Sequence, residues 1–183
     1  IGLSIISGSL LLAISFFSYS PSDPTFVHGT GDNNINNLLG IYGGLVADFL
    51  LQSFGLAAFL ILITFTIWGI TLIFQKEIKK LLFKFFYLVL YLIFTCIFIY
   101  ATFNNSFWLI DNGNSGFVGQ ILYNKISIIL PNLNNEYFIF ILITLSLIFF
   151  FLSSNINIKH FFSIISKTFQ VFKKNNINNP TNI

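Results

Sequence analysis

Long apolar runs alternate with polar connections along this chain. Ile1 to Phe17 and Phe54 to Phe74 carry no charge, Leu81 to Phe103 carries only Lys84 near its start, and Tyr137 to Leu152 is uncharged and bounded by Glu136. A helix needs about 20 apolar residues, at about 1.5 Å of rise each, to cross a bilayer. The pattern therefore predicts four spans, at about residues 1–19, 54–74, 81–103 and 137–154, in a membrane domain covering residues 1–157. Lys84 is expected to snorkel its ammonium to the headgroups.

Two shorter stretches lie in the long connections. "NNLLGIYGGLVADFLLQSFG" starts on Asn, a favourable helix N-cap, and predicts an amphipathic helix over residues 37–53. Leu38, Tyr42, Leu45, Phe49 and Leu50 share one face; Gly40, Gly43, Gly44, Ala47 and Asp48 lie on the other. Gly costs about 1 kcal/mol relative to Ala inside a helix, so three in one short segment point to close backbone approach. Its length, its glycines and Asp48 argue against a fifth crossing. In the second connection "NGNSGFVGQILYNKISIIL" brings Gly113, Gly116 and Gly119 into an apolar stretch, predicting a similar element at 115–130. Each half of the chain then reads as span, outer helix, span: a weak internal repeat that shared composition explains as readily as duplication. The expected fold class is all-α integral membrane, with four transmembrane helices and amphipathic helical segments in the two outer loops.

Composition strengthens the membrane reading. Hydrophobic residues make up 55% and charged residues 8% of the 183, with 25 Phe, against about 25% charged in soluble domains. All nine basic residues are Lys and the net charge is +3, so bidentate Arg readout of phosphates or bases is excluded and direct DNA recognition by this segment is not expected. The chain contains no Met, and it is read as a fragment.

Charge distribution sets an expected orientation. Lys76, Lys79, Lys80 and Lys84 follow the second span, and Lys159, Lys167, Lys173 and Lys174 follow the fourth; the long connections hold only Lys125, but five of the six acids. Short cytoplasmic segments collect Lys, which places both termini in the cytoplasm. Beyond the fourth span, Phe161, Ile164, Ile165, Phe169 and Phe172 recur at helical spacing among lysines, predicting an interfacial helix at 158–174. The Asn-rich residues 175–183 read as a linker to a cytoplasmic part.

Catalytic chemistry is scarce. His28 and His160 fall on opposite faces in this topology, which excludes a common nucleophilic site. Asp23, His28 and Asp32 form a poor metal candidate, because nothing in a Gly/Asn loop fixes three ligands. No carboxylate sits deep in a span, as proton-coupled transport would require. Cys96 lies in an apolar run, where it reads as a small buried hydrophobe. In "SYSPSDPTF" the first span stops at Pro21, Asp23 and Pro24, and proline's fixed φ makes this a rigid exit.

That exit, a Gly/Asn loop and "NLLGIYGGLVADFLLQSFGLAAFLI" running into a span together resemble the N-terminal four-span region of the FtsK/SpoIIIE DNA translocases. Tyr19, Ser20, Pro21, Asp23, Pro24, Asn37, Gly40, Gly43, Gly44, Ala47, Asp48, Phe54, Gly55 and Ala58 carry the resemblance. The ordered pair of motifs, with a span on each side, is more specific than either alone. The resemblance implies a bacterial inner-membrane anchor at the division septum, an oligomer (a hexamer in that family), division-septum proteins and the lipid bilayer as partners, and DNA contact only through a motor. No G-x-x-x-x-G-K-[ST] loop is present, so the segment is expected to be no enzyme and to hold no cofactor, with ATP and Mg²⁺ confined to a motor outside it. Gly40, Gly43, Gly44, Ala47, Asp48, Gly116 and Gly119 are the expected packing or assembly residues. A small multi-pass channel or transporter subunit is the alternative.

Overall fold

The computed structural model describes residues 1–24, 35–105, 109, 111–130, 135–154 and 156. The metal candidates His28 and Asp32, the interfacial helix at 158–174 and the linker lie outside them. Among the described residues six α-helices follow in order: α1 (Gly2–Phe17), α2 (Gly40–Phe54), α3 (Ala58–Gln75), α4 (Leu81–Phe103), α5 (Gly116–Ile129) and α6 (Glu136–Ser154), with a 3-10 turn over Gly55–Ala57 between α2 and α3. Among the described residues there is no strand.

By length and apolarity, three helical stretches among the described residues suffice to cross a membrane: Gly40–Gln75, Leu81–Phe103 and Glu136–Ser154; Gly2–Phe17 is a shorter apolar helix. The first stretch is not one straight rod. Gly55 sits at φ 58° and ψ −139°, a conformation no helix can continue through, so α2 and α3 are separate elements. Their boundary falls at Gly55, and α3 keeps 18 residues, about 27 Å of rise.

Two antiparallel hairpins form the membrane body. In the first, α1 lies along α3. Ser9 Oγ donates to the Leu62 carbonyl at 2.9 Å and is 3.0 Å from Thr66 Oγ1; Phe16 meets Phe59 edge to face at 5.3 Å. At the opposite end Gly2 and Gly69 let the backbones touch, since a Cβ on Gly69 would stand 2.9 Å from the Gly2 carbonyl oxygen. In the second hairpin α4 lies along α6. Thr95 and Ser146 hydroxyls are 2.6 Å apart, Phe94 and Phe149 stack at 5.7 Å, and Ser153 Oγ donates to the Lys84 carbonyl at 3.0 Å. Lipid tails are as apolar as Leu, so small residues and interhelical hydroxyls hold such helices together.

The hairpins meet across α3. The Thr64 hydroxyl lies 2.8 Å from the Tyr91 hydroxyl, and Trp68 Nε1 donates to the Ser153 carbonyl at 2.9 Å. A core of Ala57, Ile61, Trp68, Leu88, Tyr91, Leu92, Cys96 and Ile99 fills this junction. These pairs put the start of α1, the end of α3, the start of α4 and the end of α6 at one end of the bundle, with Lys76, Lys79, Lys80 and Lys84; α2 and α5 cap the other. Outward, Leu3, Leu10, Phe74, Leu82 and Phe140 are more than half exposed, a surface that only lipid or another apolar partner covers at low cost.

Two expectations are corrected here. Lys84 does not reach outward: it is 7% exposed, and its Nζ is buried without a hydrogen-bond partner among the described residues. The N-cap of α2 is Leu39 and makes no side-chain cap bond; Asn37, two residues earlier, accepts the Leu39 N–H on its side-chain oxygen and donates its amide to the Ser15 carbonyl of α1.

Candidate assembly site at the outer end

The exit of α1 is stitched to the start of α2 by a chain of polar contacts. Ser18 Oγ donates to the Ile14 carbonyl at 2.7 Å and accepts from the Leu38 N–H at 3.1 Å. After the turn at Pro21, the 3% exposed Asp23 accepts the N–H groups of Asn36 and Asn37, at 2.8 and 2.9 Å, one on each carboxylate oxygen. The Asn37 amide then donates to the Ser15 carbonyl at 2.9 Å, and its oxygen accepts the Leu39 N–H at 3.0 Å. Ser15 Oγ returns a bond to the Gly43 carbonyl. A buried carboxylate is tolerated because two backbone donors satisfy it.

The small-residue face of α2 points inward onto this clamp. Gly43 and Gly44 are buried. A Cβ on Gly43 would collide with Asn37 Oδ1 and Leu39 Cβ, whereas one on Gly44 would meet Asn37 and Asp23 side chains at an ordinary 3.7 Å. Ala47 is fully buried with Phe16, Leu51, Ala58 and Leu109. Gly40 opens the helix at φ +67° with nothing near its missing Cβ, so its requirement is conformational. Asp48 is half-buried and accepts the Tyr19 hydroxyl at 3.0 Å; that hydroxyl accepts from Gln52 at 3.1 Å, and the Gln52 oxygen accepts from Asn112 at 2.8 Å. Tyr19 lies past the end of α1, and burial, with the charges of Asp48 and Asp111, pushes its phenol up to about 12 despite the opposing Gln52 bond.

Gln52 and Asn112 carry the network to the segment that leads into α5. Gly55 and Gly116, both at positive φ, are in backbone contact: a Cβ on Gly116 would lie 2.5 Å from the Ser53 carbonyl oxygen, and one on Gly55 would strike the Asn114 carbonyl. The Leu56 N–H donates to that same Asn114 oxygen at 2.8 Å. Gly119 lets α5 rest on α4, its missing Cβ being 2.6 Å from the Cys96 carbonyl oxygen. Asn104 fixes the return, its backbone oxygen accepting from Asn114 N–H at 2.9 Å and its side chain from Ser115 N–H at 3.0 Å.

Gly43, Gly44, Ala47, Gly116 and Gly119 thus pack within the chain, Asp23 anchors the loop, Pro21 is exposed and Pro24 half-buried. Gly2, Ser9, Ser15, Asn37, Gln52, Gly55, Gly69, Asn104 and Asn114 join them as packing or network residues absent from the expected set. Asn37 and Gly55 stood in the motif. The others had no local signal, because each partner lies at a distance in sequence. Among the described residues no group of three or more His, Cys, Asp or Glu could hold a metal, and Asp23 is occupied by backbone.

Fold and site together define an all-helical integral membrane domain of two span, outer helix, span halves, tied at one end by a polar and glycine-lined platform. Residues 1–165 match the family model described as the 4TM region of DNA translocase FtsK/SpoIIIE, and the chain belongs to that family. It is 38% identical over 76 residues to a DNA translocase FtsK of Azospirillum brasilense, covering 41% of this chain and 12% of that protein. It is 45% identical over 69 residues to one of Rickettsia bellii, covering 38% and 8%. A longer alignment, 25% identical over 128 residues, joins it to a DNA translocase FtsK of Bradyrhizobium diazoefficiens, covering 70% and 15%. The chain therefore spans only a small part of the length of these relatives. No solved structure matches it.

Proposed function

We propose that the chain is the membrane anchor of a cell-division DNA translocase in the bacterial inner membrane, with both termini cytoplasmic, and that it gathers copies of itself at the division septum. The family match over residues 1–165 carries this reading. The motor that hydrolyses ATP with Mg²⁺ and moves chromosomal DNA lies outside the 183 residues, as does all contact with DNA. The anchor's part is mechanical: apolar spans resist extraction from lipid, and the tied outer platform presents a fixed surface.

That surface is the exposed side of α2. Its glycine face is used within the chain, leaving Tyr42 at 84% and Phe49 at 59% exposure for another copy, a hexamer by family resemblance, or a septal protein. The channel alternative gains no support from the cavities beside α1, whose linings are apolar apart from Ser9 and Thr66. A fluorescent fusion of the chain in dividing cells, with Tyr42→Cys for cross-linking, tests the reading. Septal enrichment and cross-linked multimers are expected. Uniform membrane fluorescence would remove the septal role, and an uncross-linked Tyr42→Cys with monomeric protein would remove self-assembly through α2.

A further inference from the structure

An apolar groove of about 640 Å³ runs between α1, α3 and the start of α4, with Ile1, Gly8, Leu12, Trp68, Leu72 and Leu81 in its lining. From Ile1 to Leu12 its α1 wall extends for roughly 16 Å, about half of a ~30 Å hydrocarbon core. At Gly8 a Cβ would meet nothing within 4 Å, so the wall is open there. A helix with its side chains fills on the order of 400–600 Å³ per turn. The groove is thus too small for a second spanning helix and suited to a thread-like hydrocarbon chain.

Its lower end is cationic. Ile78 and Leu81 line it, and their turn carries Lys76, Lys79 and Lys80. Lys84 follows on the α4 face shared by Leu81 and Leu88, three and four residues away. It is 7% exposed, and its ammonium has no hydrogen-bond partner among the described residues. A buried ammonium is costly unless an anion accompanies it. Headgroups flank the hydrocarbon core where spanning helices begin and end, and α4, an apolar helix long enough to span, begins at Leu81.

We infer that the groove holds one acyl chain of an anionic phospholipid from the leaflet at the lysine-bearing end, with the Lys84 ammonium turning out of its buried position to meet the headgroup phosphate. The inference needs membrane embedding only, not a septal or DNA-moving role.

Native mass spectrometry of the purified protein in mild detergent, titrated with phosphatidylglycerol or phosphatidylcholine, tests it. The protein should retain phosphatidylglycerol preferentially. Lys84→Gln should lower that preference about fivefold, the effect of one lysine meeting an anionic headgroup; Lys84→Arg should preserve it, and Lys79→Gln, whose solvated ammonium pairs with Glu77, should lower it less. Gly8→Phe, filling open space, should reduce retention of both lipids without lowering the unfolding temperature. Equal retention of the two lipids by the unmodified protein would overturn the inference, as would equal losses in the Lys79 and Lys84 variants. Cross-linking of Gly8→Cys to a second copy or to residues 158–174 would also overturn it, by filling the groove with protein. If Lys84→Gln does not fold, Gly8→Phe decides: retention unchanged from the unmodified protein would reject the groove.

Discussion

At the scale of single residues, adjacent glycines in α2 are expected to behave oppositely. Gly44 has ordinary van der Waals room for a methyl group, and Gly→Ala in a helix interior gains about 1 kcal/mol. Gly44→Ala should therefore leave thermal unfolding in detergent unchanged or raise its midpoint. Gly43→Ala drives a methyl into Asn37 and Leu39; overpacking costs about 1–3 kcal/mol, so its midpoint should fall. Equal shifts would mean that the clamp on Gly43 is loose. Leucine at either position should be worse than Leu→Ala on the exposed face, because both glycines are buried. At the exit, Asp23→Ala strands two N–H groups, and bonds to a charged acceptor contribute about 1.5–3 kcal/mol each. Pro21→Ala, at an exposed turn, should cost far less. Tyr19 adds a pH dependence. Its phenol is raised from 10.0 to about 12, so the folded state holds the proton more tightly than the unfolded chain. The associated stability is full below pH 10 and is lost as pH rises from 10 through 12; Tyr19→Phe should flatten that loss in alkaline unfolding curves.

At the scale of elements, one contact that joins the two halves is glycine against glycine. Gly55 ends α2 and Gly116 opens α5, each at positive φ and each with the other's backbone where its Cβ would stand. Gly55→Ala or Gly116→Ala should each destabilise the fold by about 3 kcal/mol or more, combining strain and overpacking. In the double variant the costs should fall well short of additive, since one broken crossing serves both; full additivity would show that the two glycines act independently. The elements were readable in the sequence for a simple reason. An uncharged run such as Phe54 to Phe74 has no soluble use, and α2 showed glycine and leucine at helical spacing. What the sequence could not display was the pairing. Ser9 reaching Leu62, Asn37 reaching Ser15 and Gly2 facing Gly69 are contacts between distant residues, and nothing local to a Ser, Asn or Gly announces its partner. Lys84 failed for a related reason: snorkelling is a property of a side chain with open space toward water, and Ser153 of α6 closes over the backbone beside it.

At the scale of the whole molecule, the pairing of helices constrains the path of the chain. Gly2 faces Gly69, and Ser153 reaches both Trp68 and Lys84, so α1, α3, α4 and α6 alternate in direction, and their connections emerge at alternate ends. By the positive-inside tendency, the end whose connection carries Lys76, Lys79 and Lys80 is the one expected in the cytoplasm. Cysteine accessibility in cells reads both at once, with Cys96→Ala as background; Cys96 is fully buried beneath Gly119 and should label poorly even where present. Ser115 is an unsuitable probe, being fully buried, so Ser22→Cys and Asp111→Cys, both exposed, report the outer connections and Lys79→Cys the inner one. An impermeant thiol reagent should label positions 22 and 111 and spare 79 until the membrane is opened. Labelling at 79 in intact cells, with 22 and 111 silent, would invert the domain and place its lysines outside, and with them any motor attached beyond residue 183. Labelling at 22 and 79 but not 111 would mean that α2 crosses the membrane on its own, before α3. The seat of Gly55 against Gly116 holds α2 beside α5 at one end of the bundle, which is incompatible with that crossing, so the same result would also contradict the Gly55–Gly116 double-variant cycle.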